Sequence, residues 1–330
     1  MNNFDLVSIG DITTDAFIRL KEPGAHCDID HNNLELCMGF GDKVPYEFVE
    51  IVRAVGNAAN AAVGASRLGL KTALVSNLGE DKNGAECIDV LKNENISCDY
   101  VVTHQGKETN YHFVLWFEDD RTILTKHNEY ERKFPDIGEP KCVYMSSIGG
   151  GTETYHEEAI GYFEKHTSIN VLFQPGTYQI AQGTDKLSRL YKRTYLVAVN
   201  KKEAKKILNT QSNDFGALLQ GLAELGPKMV LITDGEKGAY FFDGTQKFFM
   251  PTFPDSKPPY EITGAGDAYT STLVSMLSMG KSPTEALRYS AVNSMSVVQQ
   301  VGAQKGLLTL SQIEEKLKNA PDNFTVKKIS

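Results

Sequence analysis

Residues 55–84, VGNAANAAVGASRLGLKTALVSNLGEDKNG, carry the reading on which the fold turns. Small residues, with Val63 and Leu68 on one side, predict a helix over 57–69 closed by Gly69. Thr72 to Leu78 is a strand pattern, and Lys82 to Asn93 is a second helix behind Asp81 as N-cap. Working outward, Leu6-Val7-Ser8-Ile9-Gly10 is a short apolar run ended by glycine, a buried first strand. Val171-Leu172-Phe173, Tyr195 to Val199 and Met229 to Thr233 repeat that pattern, with helical stretches at 153–165, 201–208 and 214–225. Strands alternating with helices predict a parallel sheet covered on both faces.

Two segments depart from this rhythm. Residues 15–53 are mixed and polar without a helical period. Residues 109–126 suggest a hairpin: Tyr111 to Phe117, a turn at Glu118-Asp119-Asp120, then Arg121 to Lys126. Together they suggest a small β-rich flap beside one α/β domain spanning 1–330. In the last third, Glu261-Ile-Thr-Gly-Ala-Gly-Asp267 precedes an amphipathic stretch, Ala268 to Met279, that ends at Gly280. A further helix opens with Ser282-Pro283-Thr284-Glu285, a capping box with proline at its first position.

Composition narrows the function classes. A net charge of −8 argues against a general nucleic-acid or membrane-surface binder. No apolar run approaches the ~18 residues of a membrane span, and the N-terminus MNNFDLVSIG lacks the features of a signal peptide. Cys27, Cys37, Cys87, Cys98 and Cys142 form no CxxC pair and have no histidine at zinc-ligand spacing. They suit reduced thiols of a cytoplasmic protein. All seven histidines fall between His26 and His166, so chemistry in the second half must run on carboxylates, amides and backbone.

Thr263-Gly264-Ala265-Gly266-Asp267 is a glycine-rich turn feeding a helix. Its free N–H groups and the helix dipole suit a phosphate or a developing anion. A carboxylate there repels phosphate, but makes sense if Asp267 takes a proton from a hydroxyl that attacks it. The plainer reading is a tight turn with Asp267 as helix cap, and the local pattern leaves both open. Gly56-Asn57-Ala58-Ala59-Asn60 opens a helix with two amides able to donate to and accept from sugar hydroxyls, although N-capping by Asn57 would also explain it. Asp15 follows the first strand, at the sheet edge where open α/β sheets bind ligands, or is a solvated loop residue. Gly79-Glu-Asp-Lys-Asn-Gly84 lacks the lysine of a P-loop, and Gly10-Asp-Ile-Thr-Thr-Asp15 is not a dinucleotide fingerprint.

Taken in order, Gly10 with Asp15, the 55–84 stretch, Asn200-Lys-Lys-Glu203, Thr233-Asp-Gly-Glu-Lys-Gly238 and TGAGD resemble the ribokinase-like (PfkB) carbohydrate kinase family over nearly the whole chain. The resemblance implies a three-layer α/β/α sandwich with a central, mostly parallel sheet. It also implies a β-rich lid from about 15–53 and 109–126 that closes over the sugar and often pairs subunits, hence a homodimer through the lid. It implies Asp267 as catalytic base, with Gly264, Ala265 and Gly266 as anion hole, and Asp15, Gly56, Asn57 and Asn60 around the sugar. Asn200 and Glu203 would handle Mg²⁺ and phosphate through water. Thr233, Gly235 and Gly238 would underlie the phosphates of ATP, and Asn293 would approach the adenine.

Three departures matter. Glu261 stands where the family usually has an aspartate near a potassium-type (K⁺) site, and Val55-Gly56 replaces a double glycine. Gln174-Pro-Gly-Thr-Tyr-Gln179 replaces an acidic, arginine-containing stretch, which weakens a fructokinase or sugar-acid kinase reading. The expectation is an ATP-dependent kinase acting on a primary hydroxyl of a sugar or sugar-like molecule. Its rivals are a nucleoside (adenosine-type) kinase, with Tyr111, Phe113 and Trp116 as candidates to hold a base, and a non-catalytic sugar sensor. A phosphosugar acceptor would want clustered cations, for which Arg53, Arg121 and Lys126 are candidates.

Overall fold

In the first strand Val7 and Ile9 point to one face and Leu6 and Ser8 to the other, and all four are fully buried. A strand with no wet face requires helices on both sides. The computed structural model describes residues 3–21, 27–30, 33–118, 120–255 and 257–329. Residues 22–26 and 31–32 of the 15–53 segment, Asp119 of the expected turn, and Met1 and Asn2 lie outside the described residues.

The chain begins with β1 (Leu6–Ile9), β2 (Thr13–Leu20), β3 (Cys27–Asp30), β4 (Asn33–Glu35) and β5 (Tyr46–Val55). Then come α1 (Asn57–Arg67), β6 (Thr72–Gly79), α2 (Lys82–Asn93), β7 (Ile96–His104), β8 (Tyr111–Phe117) and β9 (Asp120–Leu124). The middle of the chain supplies β10 (Cys142–Met145), α3 (Glu153–Lys165), β11 (Asn170–Phe173), α4 (Thr177–Gln182) and α5 (Ser188–Arg193). Next are β12 (Thr194–Asn200), α6 (Lys201–Ile207), α7 (Phe215–Glu224), β13 (Met229–Thr233), β14 (Ala239–Phe242) and β15 (Lys247–Met250). The last elements are α8 (Ala265–Ser278), α9 (Pro283–Val297), α10 (Leu310–Lys318) and β16 (Lys327–Ile329).

The central sheet runs β16-β15-β14-β13-β12-β11-β10-β1-β6-β7. It is parallel from β13 to β7, and β14, β15 and β16 form an antiparallel edge. Val7, Val143, Val171, Val197 and Val230 pack with α3, α5, α6 and α7 on one face. Leu6, Tyr144, Leu172, Leu196 and Leu231 pack with α1, α8, α9 and α10 on the other. The result is a three-layer α/β/α sandwich. Chain order reverses at β1, which lies between β10 and β6, and such a switch point opens a crevice at the carboxyl ends of the strands.

Strands β5, β2, β8 and β9 make a separate four-stranded sheet, and β3 pairs with β4. The inner face of the four-stranded sheet is anchored by Trp116, the only tryptophan of the chain, which is fully buried. Its ring meets Tyr260 edge-on at 4.9 Å and Phe48 at 5.9 Å, and its indole N–H donates to the Glu118 carbonyl at 2.9 Å. Helix α8 starts at Ala265, three residues before the expected Ala268, because Gly264 adopts φ +83° and turns the chain into the helix from inside the glycine motif. The short α4 and α5 and the β14–β16 edge had no periodic signal long enough to read. Among the described residues no helix is long and apolar enough to cross a membrane.

Replacing Trp116 with alanine removes the anchor of the small sheet and should lower the unfolding free energy by about 3–5 kcal/mol. Urea denaturation followed by circular dichroism checks this; an unchanged midpoint would show that the ring bears no packing load.

Candidate active site

Helix α8 presents Asp267 in its first turn, and the side chain makes no capping bond to the helix backbone. The cap position belongs to Gly264, which corrects the reading of Asp267 as a cap. At Gly264 a Cβ would lie 2.3 Å from the Ala303 Cβ, so the chain passes too close for any side chain. At Gly266 a Cβ would meet nothing within 4 Å, and this residue faces the cleft. The Ala265 N–H is directed at the Ile262 carbonyl (3.4 Å), whereas those of Gly266 and Asp267 make no hydrogen bond within the described residues.

The Asp267 carboxylate is 6% exposed and is held by three amides. Asn57 Nδ2 donates to Oδ1 at 2.8 Å, Asn60 Nδ2 to Oδ2 at 2.8 Å, and Gln174 Nε2 to Oδ1 at 3.0 Å. Asn57 and Asn60 lie in the first turn of α1 because Gly56, with φ 108°, turns the chain into that helix. Gln304 Nε2 donates to Asn60 Oδ1 at 3.0 Å and to the Ala54 carbonyl at 2.7 Å, which orients the Asn60 amide so that its N–H₂ faces Asp267. Tyr144 likewise donates to Gln174 Oε1 at 2.5 Å. Burial pushes the Asp267 carboxyl above the ordinary carboxylate range, against the three amide bonds and the charge of Arg121.

A cleft of about 640 Å³ runs over this carboxylate. Its floor takes Asp11, Gln174, Asn200 and Thr233 from just beyond or at the ends of β1, β11, β12 and β13; its roof takes Asp15, Phe17, His112, Arg121 and Ile123 from the small sheet. The structure therefore brings Asp15, Gly56, Asn57, Asn60, Asn200, Glu203, Thr233, Gly264, Gly266 and Asp267 to one cleft. Asn200 caps α6, accepting from the Glu203 N–H at 2.9 Å, while Glu203 accepts from the Asn200 N–H at 2.8 Å. Burial, together with the Asp267 charge and against the Asn200 bond, raises the Glu203 pKa.

Other expected residues lie elsewhere. Gly235 and Gly238 sit in the turn after β13, outside the cleft wall. Asn293 is fully buried between helices, donating to Thr272 Oγ1 at 2.8 Å and accepting from the Leu308 N–H at 2.9 Å. Both ends of its amide are used inside the fold, and the residue is not among those lining the cleft. Phe113 is exposed on the outer face of the small sheet with Tyr111 beside it, and Trp116 is buried, so none of the three lines the cleft. Of the three candidate cations only Arg121 lines it: Arg53 pairs with Glu86 at 2.6 Å and Lys126 with Glu108 at 2.5 Å.

Asp11, His112, His127 and Gln304 escaped the sequence reading. Asp11 follows β1 directly, so its place at a strand's carboxyl end was the one available signal. It is buried, ion-paired to Arg132 at 2.6 Å, and accepts from the Gly149 N–H at 2.8 Å. Burial raises its pKa, but His127, the Arg132 charge and the Gly149 bond outweigh it and hold Asp11 below the usual range.

The sequence pattern of the pfkB family carbohydrate kinases matches residues 35–310. The bifunctional protein HldE of Sulfurimonas denitrificans is 25% identical over 309 residues, which are 87% of this chain and 62% of that protein. Ribokinase of Bacillus subtilis is 28% identical over 270 residues, covering 79% of this chain and 87% of the relative. The structure of Arabidopsis thaliana ribokinase complexed with ribose and ATP superposes with a TM-score of 0.77 over 96% of this chain and 99% of that one, at 21% identity. This likeness gives the fold its name, ribokinase-like.

The two glycines of the α8 entry should respond with opposite signs. Gly264→Ala forces a strained, clashing backbone and should cost about 1–3 kcal/mol. Gly266→Ala sits in open space in a helix and should leave stability unchanged or raise it by up to about 1 kcal/mol. Thermal denaturation of both variants checks this; equal losses would remove the argument from close approach.

Proposed function

The chain belongs to the pfkB family of carbohydrate kinases, ATP-dependent phosphotransferases, and from that premise we propose that it moves a phosphoryl group from ATP to a primary hydroxyl of a sugar, with Asp267 as general base. The observation that carries this reading is the buried Asp267 carboxylate, held by three amides at the start of α8. Its raised pKa makes it a better proton acceptor than a solvated aspartate. The acceptor hydroxyl loses its proton to Asp267 as it attacks. The free N–H groups of Gly266 and Asp267, at the positive end of the helix dipole, stabilise charge on the transferring group. The amides hold the carboxylate in one orientation before the reaction, so little reorganisation remains for the transition state.

Thr233 and Asn200, at the floor of the cleft, are suited to the phosphate chain of ATP. Mg²⁺, when bound with ATP, neutralises phosphate charge. It usually keeps several waters and needs one or two carboxylates, and Glu203 fits a contact through water because its carboxylate lines the cleft. A monovalent cation at Glu261 fits less well. That buried carboxylate accepts from the Thr263 N–H at 2.8 Å, from the Thr263 hydroxyl at 2.5 Å and from the Gly302 N–H at 3.2 Å. Its role in this reading is to tie two loops together, and no step runs through the cation.

The four-stranded sheet acts in this reading as a lid that excludes water from the cleft. Its outer face exposes Val49, Ile51, Phe113 and Leu124, an apolar patch suited to a second copy of the chain. Sedimentation velocity of Ile51→Lys should show a shift from dimer to monomer; a monomeric parent would overturn this contact.

Asp267→Asn should lower kcat by about 10²–10⁴-fold, the range of a general base. Both substrates should still bind, because the loss lies in the transition state. Gln174→Leu removes one donor from the carboxylate, so the Asp267 pKa should rise further and the acidic limb of the kcat/KM profile should move to higher pH. A coupled assay across pH tests both. Near-normal turnover by the asparagine variant would sink the mechanism.

A further inference from the structure

We propose that Gln304 is a positioning residue for the reaction: it fixes the Asn60 amide that supports Asp267 and, with the same nitrogen, the bulge through which β5 leaves the small sheet. The base and the lid strand are thereby held by one side chain. This rests on the kinase reading above and adds the residue that sets the position of its base.

The direction of the bonds is forced from both ends. An ionised carboxylate accepts only, so Asn60 turns Nδ2 to Asp267 Oδ2, at 2.8 Å, and Oδ1 away from it. A backbone carbonyl also accepts only, so Gln304 turns Nε2 to Ala54, at 2.7 Å. The two hydrogens of that one nitrogen serve the Ala54 carbonyl and Asn60 Oδ1, the latter at 3.0 Å. Ala54, Asn60 and Gln304 are all buried, where an unmet acceptor is costly.

Ala54 lies where β5 departs from regular pairing. The ladder between β2 and β5 joins Thr13 to Val55 and Asp15 to Val52, so β5 carries one residue more than β2 across this interval. Ala54 takes φ 55°, a left-handed conformation uncommon for a residue with a side chain. A bulge bends its strand and re-aims the side chains beside it, and here these include Asp15, which lines the cleft. Gln304 holds the carbonyl of the bulged residue because its own backbone is fixed. Its carbonyl accepts from Arg67 Nη1 at 2.7 Å, and Arg67 is paired twice with Glu94, at 2.6 and 2.9 Å. The two residues before it are constrained as well. The Gly302 N–H donates to Glu261 Oε2 at 3.2 Å, and Ala303 abuts Gly264 at the start of α8. Gln304 thus reaches Asn60 from a loop that also touches the entry to α8, where Asp267 stands.

The carboxyl of Asp267 feels the charge of Arg121 from β9, and its own charge acts on Glu203 of α6 and Tyr144 of β10. These groups are kept in every variant below, so a change in the titration of Asp267 reports its amide donors.

The test uses the full-length enzyme with MgATP and whichever of D-ribose, D-fructose and adenosine it turns over fastest. Gln304→Met keeps the length of the side chain and removes both hydrogen bonds. With Asn60 no longer anchored its bond to Asp267 weakens, so the acid limb of the kcat/KM profile should move to higher pH. kcat should fall by about 10-fold, the worth of a lost hydrogen bond, with the KM for ATP unchanged. In an Asn60→Ala background the same substitution should leave limb and kcat where they are, because its effect passes through Asn60. A loss of packing alone would act equally in both backgrounds. Gln304→Asn is too short to span both partners; it should show the same direction and carries the test should Gln304→Met fail to fold, which melting curves establish. A second measurement needs no acceptor: the unfolding free energy of each protein across pH, compared with that of its Asp267→Asn form. A carboxyl whose pKa is raised on folding contributes stability that is fully present below its unfolded pKa and is lost as pH rises through the folded pKa. In Gln304→Met that loss should extend to higher pH than in the parent. An unmoved limb and an unmoved stability window in the folded variant overturn the inference, as does an equal shift in the Asn60→Ala background. A parent that phosphorylates none of the three acceptors counts against the kinase reading, and the unfolding measurement then decides the role of Gln304 separately.

Discussion

A buried carboxylate must be met by donors, and the arrangement of this molecule around its cleft follows from meeting that need at Asp267. Two donors come from the first turn of α1 and the third from the residue after β11. Behind them Gln304 and Tyr144 fix which way two of the amides face. Four separate parts of the chain are thereby referenced to one pair of oxygens. The amides are neutral, so they support the charge without cancelling it, and burial still leaves the carboxyl with a raised pKa. A salt-bridged aspartate would instead have its pKa lowered by the opposite charge.

The roof and floor of the cleft share a loop. Tyr260 packs against Trp116 of the small sheet, and the next residue, Glu261, gathers Thr263 and Gly302. Gly264 then starts α8 against Ala303. The aromatic contact, the buried carboxylate and the close backbone approach lie within five consecutive residues, 260–264. A displacement of the small sheet is felt at the N-terminus of α8 through a short stretch of chain with little slack.

Local signals were legible because they depend on neighbours in sequence. The helix over 153–165, the capping box at Ser282 and the Asp81 cap all formed where residue spacing placed them. Short elements such as α4 were silent, since fewer than two turns hold no period to detect. Asn293 illustrates the opposite limit. Its amide suits many partners equally well, and only the tertiary structure shows that Thr272 and Leu308 across the helix pair meet it.

From the sequence alone came the alternation that demands a parallel sheet, the glycine entry into α8, and the grouping of Asp15, Asn57, Asn60 and Asp267, which line one cleft. These follow from residue type and order, which act over a few residues or through a recognisable family pattern. Tertiary structure alone decided that Asn57 and Asn60 turn their amides to Asp267, that Gln174 joins them, and that Arg53 and Lys126 are spent on Glu86 and Glu108. It also decided that His112 and His127 lie beside Asp15 and Asp11. The reason is physical: a polar side chain can meet many partners, and which one it meets is set by the packing of apolar residues far away in sequence, whose burial is indifferent to the identity of the polar groups it brings together.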